Sequence, residues 1–388
     1  MSDRKNVLMI CTDHWSGSLL GCAGRKDIMT PTLDYLANNG IRYENFYSEC
    51  PVCIPARRSM MTGLTPKTHG DRAYADRMPM PDVPTLAETF RENGYQTMAV
   101  GKLHVYPQRN RIGFEDVILT EEGRYEMGAV DDYQIWLGEH GYLGQEFLHG
   151  MGNNTYYTRT WHLDEQAHPT NWVTKQMMAQ IKRKDPTRPF FFYCSYQFPH
   201  PPLVPLSTFW DMYNEDEIEE PSGQDWLDDS YIFKAMCEAE RIYTEKEKKR
   251  ARRAFFAQCT HIDYEIRLLI GTLRESNLLD DTIIVFTSDH GDMLFNHEMV
   301  AKRAFYEEAT CIPLIISGKP VVAKRGTVEK KLGQMADLMP TLLDLCGLPI
   351  PKTVEGISLV SEKEHPYIYG EVNENEKAAR MIRWKQYK

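Results

Sequence analysis

Residues 49–63 of this 388-residue chain read E-C-P-V-C-I-P-A-R-R-S-M-M-T-G, and the other predicted elements are placed around this stretch. It combines a thiol at Cys53, a proline at Pro55 and two arginines, Arg57 and Arg58, which is an unusual composition for a core segment. If a helix begins at Cys53, its sulfur lies near the positive end of the helix dipole, with Arg57 one turn further along the same face. The stretch therefore suits an activated nucleophile or a bound anion.

The overall composition is that of a soluble globular protein, with 42% hydrophobic and 26% charged residues. A formal net charge of -10 argues against a nucleic-acid surface, and the basic run at 246–253 has the periodicity of a solvated helix face. Residues 1–6 are polar and lead directly into an apolar strand, without the pattern of a secretory signal or a membrane span. We therefore expect a cytoplasmic protein without nucleic-acid or membrane partners.

The chain contains nine cysteines, an odd number that does not suggest a disulfide framework. Cys50 and Cys53 form a C-x-x-C pair, a spacing found in redox dithiols and in halves of zinc sites. No second pair completes a four-cysteine zinc site, and a thioredoxin-like unit would be a small separate domain, so a redox dithiol is the minor alternative. Reduced core cysteines are the default for the others, such as Cys11, Cys194, Cys259 and Cys346.

Apolar runs that predict buried strands are followed by polar residues in several places. The runs at 7–11, 97–100, 190–196 and 282–287 lead into Asp13, Lys102, His200 and Asp289, respectively. Open α/β sheets bind ligands at the carboxyl ends of their strands, so the pattern predicts an α/β sheet with a site at one edge. Further strands are predicted at 42–47, 313–317, 367–369 and 381–384, and helices at 31–39, 84–93, 171–184, 245–276 and 337–345.

Two stretches, 106–170 and 203–244, lose this periodicity and are rich in aromatic and acidic residues. Irregular segments of this length are usually lids or binding loops. We therefore expect them to be substrate-site inserts over the mouth of the site. Their side chains could stack on a sugar or hold a cationic group.

Cys53 to Arg57, C-I-P-A-R, resembles the sulfatase signature C-x-P-x-R, in which the cysteine is oxidised after translation to formylglycine. Residues 94–104, G-Y-Q-T-M-A-V-G-K-L-H, resemble the second sulfatase signature. The chain departs from the usual pattern at Ile54 and Leu103, where a small residue and an aromatic residue or Met, respectively, are commoner. Further matches occur in the family's order at Thr12-Asp13, Pro199-His200, Ser288-Asp289-His290-Gly291, Lys302, and Pro340 to Asp344 followed by Gly347.

The resemblance, which covers residues 6–359, implies an alkaline-phosphatase-like fold. That fold is a large mixed, mostly parallel β-sheet sandwiched by helices. Residues 1–360 would form the catalytic domain, and residues 361–388 would begin a small C-terminal α+β subdomain that this chain supplies only in part.

The resemblance also implies a set of site residues. One divalent metal ion would be bound by Asp13, His14, Asp289, His290 and the modified Cys53. Oxygen ligands suit calcium, the expected ion, or magnesium, whereas the imidazoles shift the preference towards manganese or zinc. Beyond the metal, Arg57 would favour the alkoxide of the nucleophile, Lys102 and His104 would bind the nucleophile and the sulfate oxygens, Lys302 would bind sulfate, and His200 would protonate the leaving oxygen.

The predicted function is hydrolysis of a sulfate monoester of a carbohydrate or another small molecule, with hydrated formylglycine as the nucleophile. A maturation enzyme that makes formylglycine would be a partner, and assembly into a homo-oligomer is left open. The nearest alternative is a phosphonate monoester or phosphodiester hydrolase of the same superfamily, because the wording S-D-H-G-D-M-L at 288–294 favours that branch or a choline-sulfatase-like one. A more remote alternative is an inactive binding protein in which Cys53 is never modified.

Overall fold

The structure is a computed structural model that describes residues 5–124, 129–222 and 243–388. Its strands in these ranges are β1 (Asn6–Asp13), β2 (Gly40–Tyr47), β3 (Gln96–Gly101), β4 (Asp116–Leu119), β5 (Phe190–Pro199), β6 (Thr282–Ser288), β7 (Leu314–Ser317), β8 (Thr327–Gln334), β9 (Ile368–Val372) and β10 (Ala379–Arg383). Its α-helices are α1 (Pro31–Asn38), α2 (Cys53–Thr62), α3 (Pro66–His69), α4 (Leu86–Glu92), α5 (Asp132–Glu139), α6 (Pro169–Lys182), α7 (Ser207–Trp210), α8 (Glu245–Glu275), α9 (Glu307–Thr310) and α10 (Leu338–Leu345).

An eight-stranded sheet lies at the centre, with the strand order β4-β3-β5-β1-β6-β7-β2-β8. Its strands are parallel, apart from β7, which runs against both of its neighbours. Strands β1, β5 and β6 are buried along their whole length, as expected of continuous apolar runs covered on both faces. The predicted large, mostly parallel sheet is thus confirmed.

Two layers of helices cover the sheet because successive side chains of a strand point to opposite faces. Leu8 and Ile10 of β1 pack in a core formed with α1, α6 and α8. Val7 and Met9 pack in a second core formed with α2, α4 and α10. The alternating side chains of β1 are apolar on both faces of the sheet, and helices therefore cover both faces.

The long helix α8 confirms one prediction and corrects another. It begins and ends within one residue of the range 245–276, and its predicted apolar stripe is fully buried. The basic run at 246–253 is not simply a solvated face, because Lys248 and Arg252 are buried. Lys248 Nζ donates to Glu298 Oε2 at 2.7 Å, and Arg252 Nη1 donates to the Leu294 carbonyl at 2.8 Å. These cations attach α8 to the loop after β6.

The prediction that residues 106–170 are irregular is wrong in two places. It contains β4, which forms one edge of the central sheet, and α5, whose Tyr133 is buried in the core. Both elements are short, eight residues or fewer, and this hid their periodicity. In the second insert, residues 203–222 include the single-turn α7, and residues 223–242 lie outside the described part. The role of the two stretches as substrate-site inserts stays a prediction.

The segment that leads into α2 is anchored by a buried carboxylate. Glu49 accepts hydrogen bonds from the backbone N–H groups of Met335 and Ala336, each at 3.0 Å. Helix α2 then begins at Cys53, the condition under which its sulfur lies near the positive end of the helix dipole, and every residue of the helix is buried. It ends at Gly63, whose φ of 66° is the left-handed conformation that favours glycine at this position.

Strands β9 and β10 pair antiparallel in a separate two-stranded sheet near the C-terminus. This small sheet agrees with the predicted start of a C-terminal subdomain, although the boundary at residue 360 stays a prediction. None of the helices placed in the described ranges is long and apolar enough to cross a membrane.

We predict that Gly101→Ala strongly destabilises the protein, because Gly101 ends β3 with a φ of 102° and an added Cβ would lie 1.8 Å from the carbonyl oxygen of Ser195. Gly70→Ala is the matched control, since Gly70 has a φ of 80° but open space around its Cβ position. In denaturant unfolding, we expect Gly101→Ala to lose at least about 2 kcal/mol more than Gly70→Ala. Equal losses would show that the close approach to β5 does not matter.

Candidate active site

The carboxyl ends of four neighbouring parallel strands meet at one edge of the sheet. They bring Asp13, Lys102, His200 and Asp289 together at the ends of β1, β3, β5 and β6, respectively. The first turn of α2 lies against the same edge and adds Cys53. The predicted convergence of strand-end residues is therefore confirmed, whereas the chemical roles given to them stay predictions.

Cys53 is buried and lies between an imidazole and a carboxylate. Its Sγ is 3.2 Å from His290 Nε2 and 3.7 Å from Asp13 Oδ1. Burial and Asp13 act to raise the pKa of Cys53, but Lys302, His290 and Lys102 outweigh them and lower it below the usual value of a thiol. Burial also acts to lower the pKa of His290, yet Asp289 and Cys53 raise it to about 9.

Cys50 is separate from this arrangement. Its thiol donates a weak hydrogen bond to the Arg72 carbonyl at 3.6 Å, and its side chain packs with Val52 and Val372. Cys50 and Cys53 are both free thiols. The geometry therefore gives the redox-dithiol alternative no support.

Arg57 connects the ends of three strands. Its Nε donates to Asp289 Oδ2 at 2.9 Å, and its Nη1 donates to the Lys102 carbonyl at 2.9 Å and to Ser195 Oγ at 2.8 Å. Its Nη2 has no hydrogen-bond partner in the described part of the chain and lies 3.8 Å from Asp13 Oδ2. The guanidinium is thus held rigidly with one N–H₂ group available to a ligand.

Lys102 is the cation of a buried ion-pair network. Its Nζ donates to Asp13 Oδ2 and, at 2.6 Å, to Glu122 Oε1. Burial alone would raise the pKa of Asp13, but the Lys102 ammonium, followed by the neighbouring imidazoles, holds it well below its usual range. Asp13 therefore stays ionised at the end of the central strand.

Glu122 is a site residue that the sequence analysis missed. It is buried in a left-handed backbone conformation, with a φ of 59°. Arg124 donates to Glu122 Oε2 from Nη2 at 2.5 Å and from Nε at 2.7 Å, and its Nη1 donates to the Tyr74 hydroxyl at 2.8 Å. No motif marks Glu122; the only signal was the run Glu121-Glu122 inside an acidic stretch.

Lys302 lies between two imidazoles. Its Nζ donates to His14 Nε2 at 2.5 Å and lies 3.3 Å from His200 Nε2. His14 Nδ1–H donates to Asp292 Oδ2 at 2.5 Å, which leaves Nε2 of the neutral ring as the acceptor. Asp292 was not predicted, although it lies within the S-D-H-G-D-M-L stretch, and it also accepts a hydrogen bond from the Tyr156 hydroxyl.

His104 is buried with neither ring nitrogen hydrogen-bonded to any residue that the structure describes. Its backbone has a φ of 57°, and its N–H donates to Glu121 Oε1 at 2.9 Å. Burial, together with Lys102, lowers the pKa of His104 well below its usual value. A buried imidazole without partners is costly, so the ring is suited to a ligand that supplies them.

The side chains around Cys53 fit one divalent metal ion. Donor atoms of Asp13, His14, Cys53 and His290 all lie within 4.8 Å of one another. The predicted ligand Asp289 is not in this group: its Oδ2 accepts from Arg57 Nε, and its Oδ1 lies 3.6 Å from His290 Nε2. The imidazoles of His14 and His290 are ligands that manganese and zinc accept more readily than calcium, which prefers oxygen ligands alone.

Comparison with known proteins supports the resemblance to sulfatases over most of the chain. A sulfatase family model matches residues 5–348. The arylsulfatase of Clostridium perfringens is 35% identical over 391 residues, which cover 95% of this chain and 81% of that protein. The choline-sulfatase of Rhizobium meliloti is 30% identical over 376 residues, which cover 92% of this chain and 71% of that protein. A phosphonate monoester hydrolase from Silicibacter pomeroyi shares the fold, with a TM-score of 0.81 at 24% identity over 98% of this chain and 85% of that one.

These matches agree with the alkaline-phosphatase-like sheet. Both sequence relatives are sulfatases, and the family model covers the strand ends, α2 and Lys302. The chain therefore belongs to the sulfatase family of the alkaline phosphatase superfamily, and it is a sulfatase enzyme.

Proposed function

We propose that this enzyme hydrolyses the sulfate monoester of a carbohydrate or another small alcohol, using formylglycine made from Cys53 and one divalent metal ion. One observation carries the proposal: Cys53 begins a fully buried helix beside three cations, Arg57, Lys102 and Lys302. Buried cations around a single reactive position suit a sulfate group, whose charge they offset. A maturation enzyme that acts on Cys53 is part of the proposal.

The two groups that the family implies would occupy the centre of the site. Formylglycine at position 53, when present, supplies a hydrated aldehyde as the nucleophile. A divalent ion, when bound by Asp13, His14, His290 and Asp289, supplies a Lewis acid. The buried and converging donors of Asp13, His14 and His290 are the reason to place the ion there. Asp289 Oδ1 lies beside them, 3.6 Å from His290 Nε2.

The chain's own residues would bind and orient the sulfate. Arg57 Nη2 and both ring nitrogens of His104 lack partners among the described residues, so they are available to an anionic ligand. Lys102 faces the same space from the end of β3, where Asp13 and Glu122 hold its ammonium group in place. These groups exchange no proton with the substrate; they offset charge and fix its orientation.

The proton for the leaving oxygen would come from Lys302 and His200. His200 Nδ1–H donates to the Pro201 carbonyl at 2.5 Å, which directs Nε2 towards Lys302. Burial lowers the pKa of His200 to about 3, so the ring is neutral and Nε2 accepts from the Lys302 ammonium. We assign the proton to this pair, held on Lys302 Nζ and delivered directly or through His200 Nε2.

We predict that protein made with the maturation enzyme carries an aldehyde instead of a thiol at position 53, seen by peptide mass spectrometry. Cys53→Ala should reduce kcat/KM by roughly 10³-fold or more, because the nucleophile is lost. Cys50→Ala is the matched control and should stay within a few-fold of the parent. An active protein with only unmodified Cys53 would overturn the formylglycine proposal, and unmodified, inactive protein under these conditions would support the binding-protein alternative.

We predict that His200→Asn lowers kcat/KM by roughly 10²-fold or more for alkyl sulfates, whose leaving alkoxide needs a proton. The loss should be much smaller for 4-nitrophenyl sulfate, because nitrophenolate leaves without protonation. His104→Asn, which affects the sulfate rather than the leaving oxygen, should reduce both rates by similar factors. A loss in His200→Asn that does not depend on the leaving group would exclude His200 from proton delivery.

The phosphonate monoester or phosphodiester alternative is tested by substrate pairs that share one aryl group. We expect the aryl sulfate to have the higher kcat/KM, and the aryl methylphosphonate to be a secondary substrate. Both assays use the same metal-loaded protein, with formylglycine content measured by mass spectrometry. A strong preference for the phosphonate would replace the proposed function with the alternative.

A further inference from the structure

Residues 156–159 of the first insert run beside the loop that carries His200. Thr158 forms a parallel β-bridge with Leu203, a residue of that loop. The backbone N–H of Arg159 donates to the Leu203 carbonyl at 3.2 Å. The backbone of the insert is therefore attached to the chain just after the His200 imidazole.

Tyr156, at the start of the same segment, reaches the loop that carries Lys302. Its side chain is 3% exposed, and its hydroxyl oxygen accepts a hydrogen bond from the Ala301 N–H at 2.9 Å. The hydroxyl hydrogen is then donated to Asp292 Oδ2. The Ala301 N–H has a second and longer acceptor, Asp292 Oδ1 at 3.2 Å. The Tyr156 hydroxyl thus binds both ends of the segment 292–301.

The backbone around Lys302 needs this kind of support. Ala301 and Arg303, its two neighbours, have φ values of 63° and 77°, in the left-handed region that residues other than glycine rarely adopt. Such conformations cost free energy and persist where the surrounding structure holds them. The Arg303 N–H is held by the Pro51 carbonyl at 3.1 Å. On the other side of Lys302, the Ala301 N–H is held by Tyr156.

The separation of the two loops sets the contact between Lys302 and His200. Lys302 Nζ lies 3.3 Å from His200 Nε2, which is near the upper limit of a hydrogen bond. Residues 156–159 bind the His200 loop through their backbone and the Lys302 loop through the Tyr156 hydroxyl. A displacement of about 1 Å in either loop would break the contact, and displacements of this size cost large factors in rate.

We propose that Tyr156 is a positioning residue: its hydroxyl holds the Lys302 loop at the distance from His200 that proton delivery requires. Tyr156 acts through Lys302 and not on the substrate. The effect on rate rests on the proposed function, in which Lys302 and His200 supply the proton for the leaving oxygen. The first insert thereby contributes to the chemistry of the site as well as to its mouth.

The rate test uses Tyr156→Phe, which keeps the ring and removes the hydroxyl. We expect it to lower kcat for butyl sulfate by about ten-fold or more with KM within a few-fold, and kcat for 4-nitrophenyl sulfate by less than about two-fold. Tyr133→Phe is the matched control, because it removes a buried hydroxyl that donates to the Ala167 carbonyl in the same insert. It should change neither rate by more than about two-fold.

A double-mutant cycle shows whether Tyr156 acts through Lys302. In a Lys302→Ala background, Tyr156→Phe should lower kcat for butyl sulfate by less than about two-fold, since the group that it positions is absent. Equal losses on the two esters, or the full ten-fold loss in the Lys302→Ala background, would contradict the positioning role.

Amide hydrogen exchange gives a second measurement that needs no turnover. In peptides that cover residues 299–303, Tyr156→Phe should accelerate exchange of the Ala301 amide by at least about five-fold, whereas Tyr133→Phe should not change it. If the parent hydrolyses no sulfate, the proposed function fails, and exchange at Ala301 alone decides whether Tyr156 holds the Lys302 loop. If sulfates are hydrolysed but this exchange is unchanged in Tyr156→Phe, the positioning role is overturned and the proposed function stands.

Discussion

The site depends on the buried ion pair between the Asp13 carboxylate and Lys102. The carboxylate lies at the end of the central strand β1 and contacts Lys102, while His290 and Cys53 approach its other oxygen at 3.4 Å and 3.7 Å, respectively. Removing a carboxylate from water costs several kcal/mol unless charges and hydrogen bonds replace the water. Lys102 meets that requirement for one oxygen, which leaves the second oxygen to face Cys53 and His290.

Lys102 needs a second anion because it too is fully buried. Glu122 supplies it, and Arg124 in turn neutralises Glu122 and binds Tyr74. The network therefore extends from the central strand to the segment after β4 in alternating charges. Such alternation keeps every member ionised, since each charge is stabilised by the one before it. The fold thus places Lys102 and Arg57 beside Cys53 with carboxylate partners: Asp13 and Glu122 for Lys102, and Asp289 for Arg57.

Much of this arrangement could be predicted from the sequence, because it follows from strand direction. Parallel strands end at the same edge, so Asp13, Lys102, His200 and Asp289 had to lie close together once their strands were identified. The helix start at Cys53 was likewise readable from local sequence. The hydrogen-bond and ion-pair partners of these residues could not be predicted. Glu122, Asp292 and Tyr156 come from loops whose contacts depend on tertiary structure, and no spacing rule identifies them. For the same reason, burial of Lys248 and Arg252 in the basic run could not be seen in a helical pattern.

Glu122 and Glu146 differ in the partners that their buried carboxyl groups have. Both carboxylates are buried and both line the cleft beside His200. Glu122 is already neutralised by Lys102 and Arg124, so it can orient Lys102 but gains little from a further cation. Glu146 has one neutral hydrogen-bond donor, and burial raises its pKa to about 8, so it holds a proton near neutral pH. Two buried carboxylates in one cleft thus become neutral by different routes: Glu122 through ion pairs, and Glu146 by keeping its proton.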